Sequence, residues 1–157
     1  MQLSGQIRTT CPPTMLVGLL RDPAALVQLL PAGAKIDAKS DGSMSFSMAK
    51  SVGPIRLTLP GTLTLAATGH NADQVLIAHA AHLIGGKVDL TLTLAFATEG
   101  RITQLVYTGE LTATGLAGRV LKEHRERANA SLKAAMTRLK LYAESQMRKS
   151  AVTAAHA

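Results

Sequence analysis

Leu105-Val106-Tyr107-Thr108-Gly109-Glu110-Leu111-Thr112-Ala113-Thr114-Gly115-Leu116-Ala117-Gly118-Arg119-Val120-Leu121-Lys122 is the stretch where the chain changes rhythm. Up to Leu111, apolar and polar residues alternate with the two-residue period of a half-buried strand. From Gly115 the apolar residues recur at helical spacing, and no proline interrupts the chain as far as Met147. The pattern predicts one helix from Gly115 to about Met147, with a flexible tail over 148–157. Ala117, Leu121, His124, Ala128, Leu132, Ala135, Leu139, Tyr142 and Ala143 fall on one side of that helix. Arg119, Lys122, Glu126, Lys133, Lys140 and Glu144 fall on the other.

The same segment holds the charge. Between Arg119 and Lys149, nine Lys/Arg against three Glu give +6, out of +7 for the whole chain of 157 residues. A basic helix face is ordinarily solvated. Docking on an acidic protein or on anionic lipid head groups is the other reading, with Arg119, Lys122, Lys133 and Lys140 as the docking candidates.

Working back from Gly115, the strand rhythm extends to about Lys35. Leu105, Tyr107, Gly109 and Leu111 form the last apolar face, and Val88, Leu90, Leu92, Leu94 and Phe96 the one before it. Gln74–Ile84 reads as a strand between Asn71-Ala72-Asp73 and Gly85-Gly86. Ile55, Leu57, Leu59, Leu63 and Leu65 alternate with Arg56, Thr58, Thr62 and Thr64, and Pro60-Gly61 within them predicts a bulge or an edge position. Met44, Phe46 and Met48 alternate with serines after an Asp41-Gly42 turn. Leu3, Gly5 and Ile7 mark a first strand that Cys11-Pro12-Pro13 ends. Two short apolar helices follow, Thr14–Leu20 and Ala24–Leu30, separated by Asp22-Pro23 and closed by Pro31 and Gly33. Short links throughout the sheet favour antiparallel pairing.

Composition bounds the interior. Hydrophobic residues make up 46% and aromatics 3%, with no Trp, two Phe and two Tyr. Leu, Val, Ile, Met and Ala must therefore fill the core, and small or flexible side chains can leave space between sheet and helix. The same composition fits a plain aliphatic core. The single Cys11 excludes an internal disulfide and a cysteine-built zinc site. Met1–Gln6 has neither a basic nor an apolar leader segment, and no apolar run approaches the ~20 residues of a membrane span. The expected setting is cytoplasmic, with peripheral attachment at the inner membrane face left open. Nucleic acid is not expected as a partner, since stacking aromatics and Gly-rich RNA motifs are missing.

The order strand, two short helices, six strands and terminal helix resembles the START-like helix-grip proteins of the SRPBCC superfamily. Met1-Gln2-Leu3-Ser4-Gly5, Pro12-Pro13, Asp22-Pro23, Leu30-Pro31, Val52-Gly53-Pro54 and Gly115-Leu116-Ala117-Gly118-Arg119 are similar to the pattern of the carbon monoxide dehydrogenase G-subunit family. The resemblance covers about residues 1–146. It implies an α+β helix-grip fold over residues 1–147, with a curved antiparallel sheet around the terminal helix and a hydrophobic cavity between them. It also implies a non-catalytic accessory role beside a molybdenum hydroxylase, with a quinone- or lipid-like ligand. The cavity candidates are Met44, Phe46, Met48, Leu57, Leu90, Leu92, Tyr107, Ala117, Leu121, His124, Ala128, Leu132 and Ala135.

Enzyme chemistry has little to stand on. The chain lacks a Walker loop, G-x-G-x-x-G, G-x-S-x-G and H-E-x-x-H, so no cofactor and no metal are expected. His79 and His82, three apart on a predicted strand, point to opposite faces. His124 and Tyr107 are the two residues that could touch a ligand carbonyl, and both also fit purely structural roles. A cyclase- or isomerase-like enzyme of the same superfamily and a structural docking or assembly factor acting through the basic helix face are the alternatives to a carrier. Oligomeric state is open.

Overall fold

The computed structural model describes every residue except 31–33, 53, 83–85 and 156–157. Its elements run β1 (Gln2–Thr9), α1 (Pro13–Leu20), α2 (Pro23–Leu29), β2 (Lys35–Ala38), β3 (Met44–Val52), β4 (Ile55–Ala67), β5 (Gln74–His82), β6 (Gly86–Glu99), β7 (Ile102–Ala113), α3 (Gly115–Glu123) and α4 (Arg125–Ala155). The described strands form one antiparallel sheet in the order β1-β7-β6-β5-β4-β3-β2. From β2 to β7, consecutive strands are neighbours, as short links require. β1 stands apart in order because Pro12 and Pro13 turn the chain into α1 instead of a hairpin. It returns to the sheet beside β7, where Gln2 faces Glu110 and Thr9 faces Thr103. The Pro31–Gly33 stop, Gly53 and the Leu83–Gly85 segment, which includes the end of the expected strand to Ile84, lie outside the described residues.

Both short helices begin as their sequence predicts. Each has proline in its first turn, and Asp22 accepts a hydrogen bond from the Ala24 backbone N–H at 3.0 Å to cap α2. Arg21 then ties the α1–α2 corner to the sheet by donating to Gln74 Oε1 at 2.8 Å.

Pro60 makes no bulge. The β3–β4 register runs unbroken from Met44↔Leu63 to Val52↔Ile55, with Pro60 opposite Ser47. The β4–β5 ladder starts one residue later, at Gly61↔Ala80. The proline thus stands where β4 changes from a strand paired on one side to an interior strand, which suits a residue without an N–H. Gly61 has its own reason. A Cβ there would overlap the ring of Phe46, its partner across the strand pair. Gly5 does the same under Tyr107.

The terminal helix is two helices, which corrects the single helix expected from periodicity. The chain leaves β7 through Gly115 at φ 67°, a conformation that favours glycine. α3 packs on β6 and β7, while α4 packs on β1, α1 and α2. Between them His124 adopts φ −126°, ψ 40°. Its N–H bonds Val120 O at 3.0 Å, and its C=O accepts from Ala128 N at 3.2 Å. Hydrogen bonding therefore continues on both sides while the path bends. Lys122–Arg127 contains no apolar side chain that would hold a straight helix against the sheet. Beyond Met147, α4 continues to Ala155, so the backbone is helical over most of the expected tail.

The core is uneven. At one end of the helix–sheet layer, Leu94, Leu105, Leu139, Ala143, Leu16 and Cys11 are all 0% exposed. At the other end Leu63, Leu65, Ala78, Leu90 and Leu132 are only partly buried. No helix of the described residues is long and apolar enough to cross a membrane.

Candidate ligand-binding cavity

The half-buried end of the layer encloses a partly open cavity of about 370 Å³. Its floor is the concave face of the sheet: Phe46 and Met48 from β3, Leu59 and Leu63 from β4, Leu76, Ala78 and Ala80 from β5, and Val88, Leu90 and Leu92 from β6. These positions are two or four apart along each strand, so one face supplies them all. Leu111 of β7 and Ile36 of β2 close two sides. Leu132, Ala135, Met136 and Leu139 of α4 form the roof, spaced as one stripe of a helix. Leu20, Leu26, Leu29 and Leu30 of the α1–α2 region form a further wall. Arg138 pins that wall to the roof, donating to the Leu29 carbonyl at 3.2 Å.

The volume has a local cause. Three of the four aromatics lie away from the cavity: Phe96 and Tyr107 are buried at the dense end, and Tyr142 packs from α4 against the core. The cavity end retains only Phe46, laid over Gly61, and its β5 wall is built largely from the alanines Ala78 and Ala80. A wall of short side chains facing a helix position as small as Ala135 does not meet in the middle.

All of the lining side chains among the described residues are apolar. The buried polar side chains among the described residues are Thr9, Ser43, Gln74 and Thr103, and none of them faces the void. Gln74 comes nearest in sequence, two residues from Leu76. Its Oε1 accepts from Arg21 and its Nε2 donates to Ala72 O at 3.2 Å, so both ends of the amide are engaged. Thr9 donates to Glu144 Oε1 at 3.1 Å and accepts from the Cys11 N–H at 3.2 Å, joining β1 to α4 at the dense end. Among the described residues no group of three or more His, Cys, Asp or Glu could hold a metal ion.

Of the sequence-derived candidates, Phe46, Met48, Leu90, Leu92, Leu132 and Ala135 line the cavity. Met44 is buried in the core beyond it. Leu57 lies on β4, with its side chain outside the described ones. Ala117, Leu121 and Ala128 are half-buried on either side of the α3–α4 bend and are not among the residues that line this void. His124 is exposed at the bend itself. Tyr107 is buried at 1% exposure, but over Gly5 at the dense end, and burial pushes its phenol up from the usual range. His124 and Tyr107 are therefore not brought together at the cavity. Arg119, Lys122 and Lys133 are exposed and Lys140 is half-buried. His79 lies on the outer sheet face, where its Nδ1 pairs with Asp89 across β5 and β6.

Lining residues absent from the candidate set are chiefly the leucines of α1 and α2, Leu76, Ala78 and Ala80 of β5, and Met136 and Leu139. Strand alternation and helix spacing put most of them on apolar faces. Nothing in the pattern marks which half of each face stands over the void.

A curved antiparallel sheet gripping a C-terminal helix recurs among solved structures. A conserved protein from Geobacillus kaustophilus superposes with TM-score 0.77 at 11% identity, covering 92% of this chain and 96% of its own. The ZhuI aromatase/cyclase from a Streptomyces species gives 0.68 at 14% identity, covering 94% and 95%. A norcoclaurine synthase point mutant from Thalictrum flavum, in complex with a transition-state analogue, gives 0.63 at 12% identity, covering 94% and 96%. At such identities the likeness is one of fold. The sequence itself matches the family model of CoxG, the G subunit of carbon monoxide dehydrogenase, over residues 5–143. The chain belongs to the CoxG family. No functionally curated protein matches this CoxG family member in sequence. The match runs from Gly5 in β1 to Ala143 in α4, so it spans every element that lines the cavity.

Proposed function

We propose that this protein is a non-catalytic carrier that holds a quinone- or lipid-like molecule in the cavity between sheet and α4, serving a molybdenum hydroxylase of the carbon monoxide dehydrogenase type. The observation behind this reading is the apolar void of about 370 Å³, within the usual size of small-molecule sites. Transfer of an apolar ligand from water to such a wall is favourable at roughly 25 cal/mol per Å² buried, without any specific polar contact. Family membership supports the accessory role. Aromatase/cyclase and synthase neighbours share the fold, but a cyclase needs acid–base groups at its substrate, and none lines the void among the described residues. The +6 charge of the α3–α4 segment, displayed by Arg119, Lys122 and Lys133, would meet an acidic partner or an anionic membrane surface.

Native mass spectrometry of protein purified from its own host, joined to titration with a short-tailed quinone, tests the carrier. A bound hydrophobic mass and a saturable signal are expected. Protein that flies empty and never saturates would end this reading.

A further inference from the structure

We infer that the cavity takes the hydrocarbon chain of its ligand and leaves the polar head outside. The inference rests on the carrier reading and deepens it, from a hydrophobic molecule to an alkyl or prenyl chain bearing one polar end.

Among the described residues, the side chains lining the cavity are aliphatic except for the single phenyl ring of Phe46. A carbonyl or hydroxyl moved from water into a wall without partners loses its hydration with nothing in return, which burying a small ring would barely offset. Water cannot carry that role inside, because a bridging water itself needs two to four polar partners and apolar cavities stay dry. Among the described residues, the polar groups that might have turned inward are placed elsewhere. Gln74 is held by Arg21 and Ala72, Tyr107 is buried over Gly5, and His124 is exposed at the helix bend. A methylene chain has no such requirement, and the partly open shape leaves room for its head to remain hydrated.

The chain also suits the wall. Leucine and methionine side chains at Met48, Leu63, Leu90, Leu132 and Met136 present flexible methyl ends rather than a flat slot, so nothing there favours a planar ring over a bent chain.

Calorimetry on the full chain with primary alcohols from hexanol to tetradecanol reads this directly. Kd should fall about fourfold for each added methylene, the equivalent of ~0.8 kcal/mol per buried CH2, until the cavity is full. A ring-only benzoquinone should give no saturable heat, while its decyl-substituted form should bind within about tenfold of decanol. That comparison separates a quinone source from a simple lipid, since a head-group contact would show as a larger gain. A second reading uses the absence of tryptophan in this chain. In Met136→Trp, at a lining position only 6% exposed, bromine at the far end of a bound alcohol should quench the new indole more strongly than bromine beside the hydroxyl. Ring-only quinone binding as tightly as the decyl form, a flat alcohol series, or quenching strongest from the head would overturn the inference and leave the carrier standing. Silence from every alcohol and every quinone would overturn both. The wild-type calorimetry stands whether or not Met136→Trp folds.

Discussion

The two ends of one helix–sheet layer are built from the same kinds of residue and end in opposite states. At the dense end, β6, β7 and β1 bring Leu94, Phe96, Leu105, Tyr107 and Ile7 against Leu139 and Ala143 of α4, and the interior is full. At the other end, β3, β4 and β5 face Leu132 and Ala135 of the same helix, and a void of about 370 Å³ remains. Hydrophobicity does not separate them, since both are apolar. Side-chain reach does. Phe96 and Tyr107 fill the dense end with aromatic rings, where Leu16 of α1 joins the same cluster. Alanines stand at the matching depth of β5 in the cavity. Stability is concentrated where packing is complete, and binding capacity where it is not.

The largest effects should divide along that line. Leu105→Ala, at a site with no exposure, is expected to cost about 2–5 kcal/mol by urea denaturation. Leu90→Ala, beside space that is already empty, should cost less than about 2 kcal/mol. Equal losses at the two positions would erase the distinction.

Added volume should show the same contrast in reverse. Ala143→Phe has nowhere to go and should destabilise by about 1–3 kcal/mol or more. Ala135→Phe can enter the void, so it should change stability by less than about 1 kcal/mol while lowering affinity for a long-chain alcohol by at least about tenfold. Unchanged affinity in a folded Ala135→Phe protein would mean that ligands bind elsewhere.

Arg138→Ala removes the hydrogen bond from α4 to the Leu29 carbonyl, the tie between roof and side wall. Charge-assisted bonds of this kind are worth about 1–2 kcal/mol when partly exposed. The loss should fall mainly on the cavity end, with faster hydrogen exchange in α2 and faster ligand release in stopped flow, and little change in β7.

The smallest effect is one of pH. Burial holds the Tyr107 phenol above its usual range, so its folded-state pKa lies above the unfolded one. The contribution is fully present below the unfolded value and is lost as pH rises through the folded one. Wild-type protein should therefore lose more stability in alkaline buffer than Tyr107→Phe, with ligand affinity the same in both at neutral pH. A ligand effect in Tyr107→Phe would place the phenol at the site after all.

Much of this was legible in the linear chain. Alternation from Met44 to Leu111, the proline stops at Pro12-Pro13 and Pro23, and the change of period at Gly115 are local, because strand and helix periodicity are properties of the backbone. They specified an antiparallel sheet, two short helices and a terminal helical segment, and the order of those elements pointed to the family. Six of the cavity candidates were readable for the same reason: Phe46, Met48, Leu90, Leu92, Leu132 and Ala135 lie on the inward faces that periodicity defines.

Other features required the third dimension. Periodicity carries Ala117, Leu121, His124 and Ala128 straight along a helical face, but α3 follows β6 and β7 while α4 crosses towards β1, so the face is cut at His124. Neither proline nor glycine announces that bend. Pro60 reads as a break in a strand, and only the staggered start of the β4–β5 ladder at Gly61 gives it an unbroken place. Above all, alternation says which side of a strand is inside and not how far away the opposite wall stands. That distance depends on where Phe96, Tyr107 and Leu16 come together and where Ala78, Ala80 and Ala135 do, residues separated by most of the chain. Residue order alone established an inside and its aliphatic chemistry. Folding settled that one end of that inside is filled and the other empty, because packing is a sum over side chains that only the fold brings face to face.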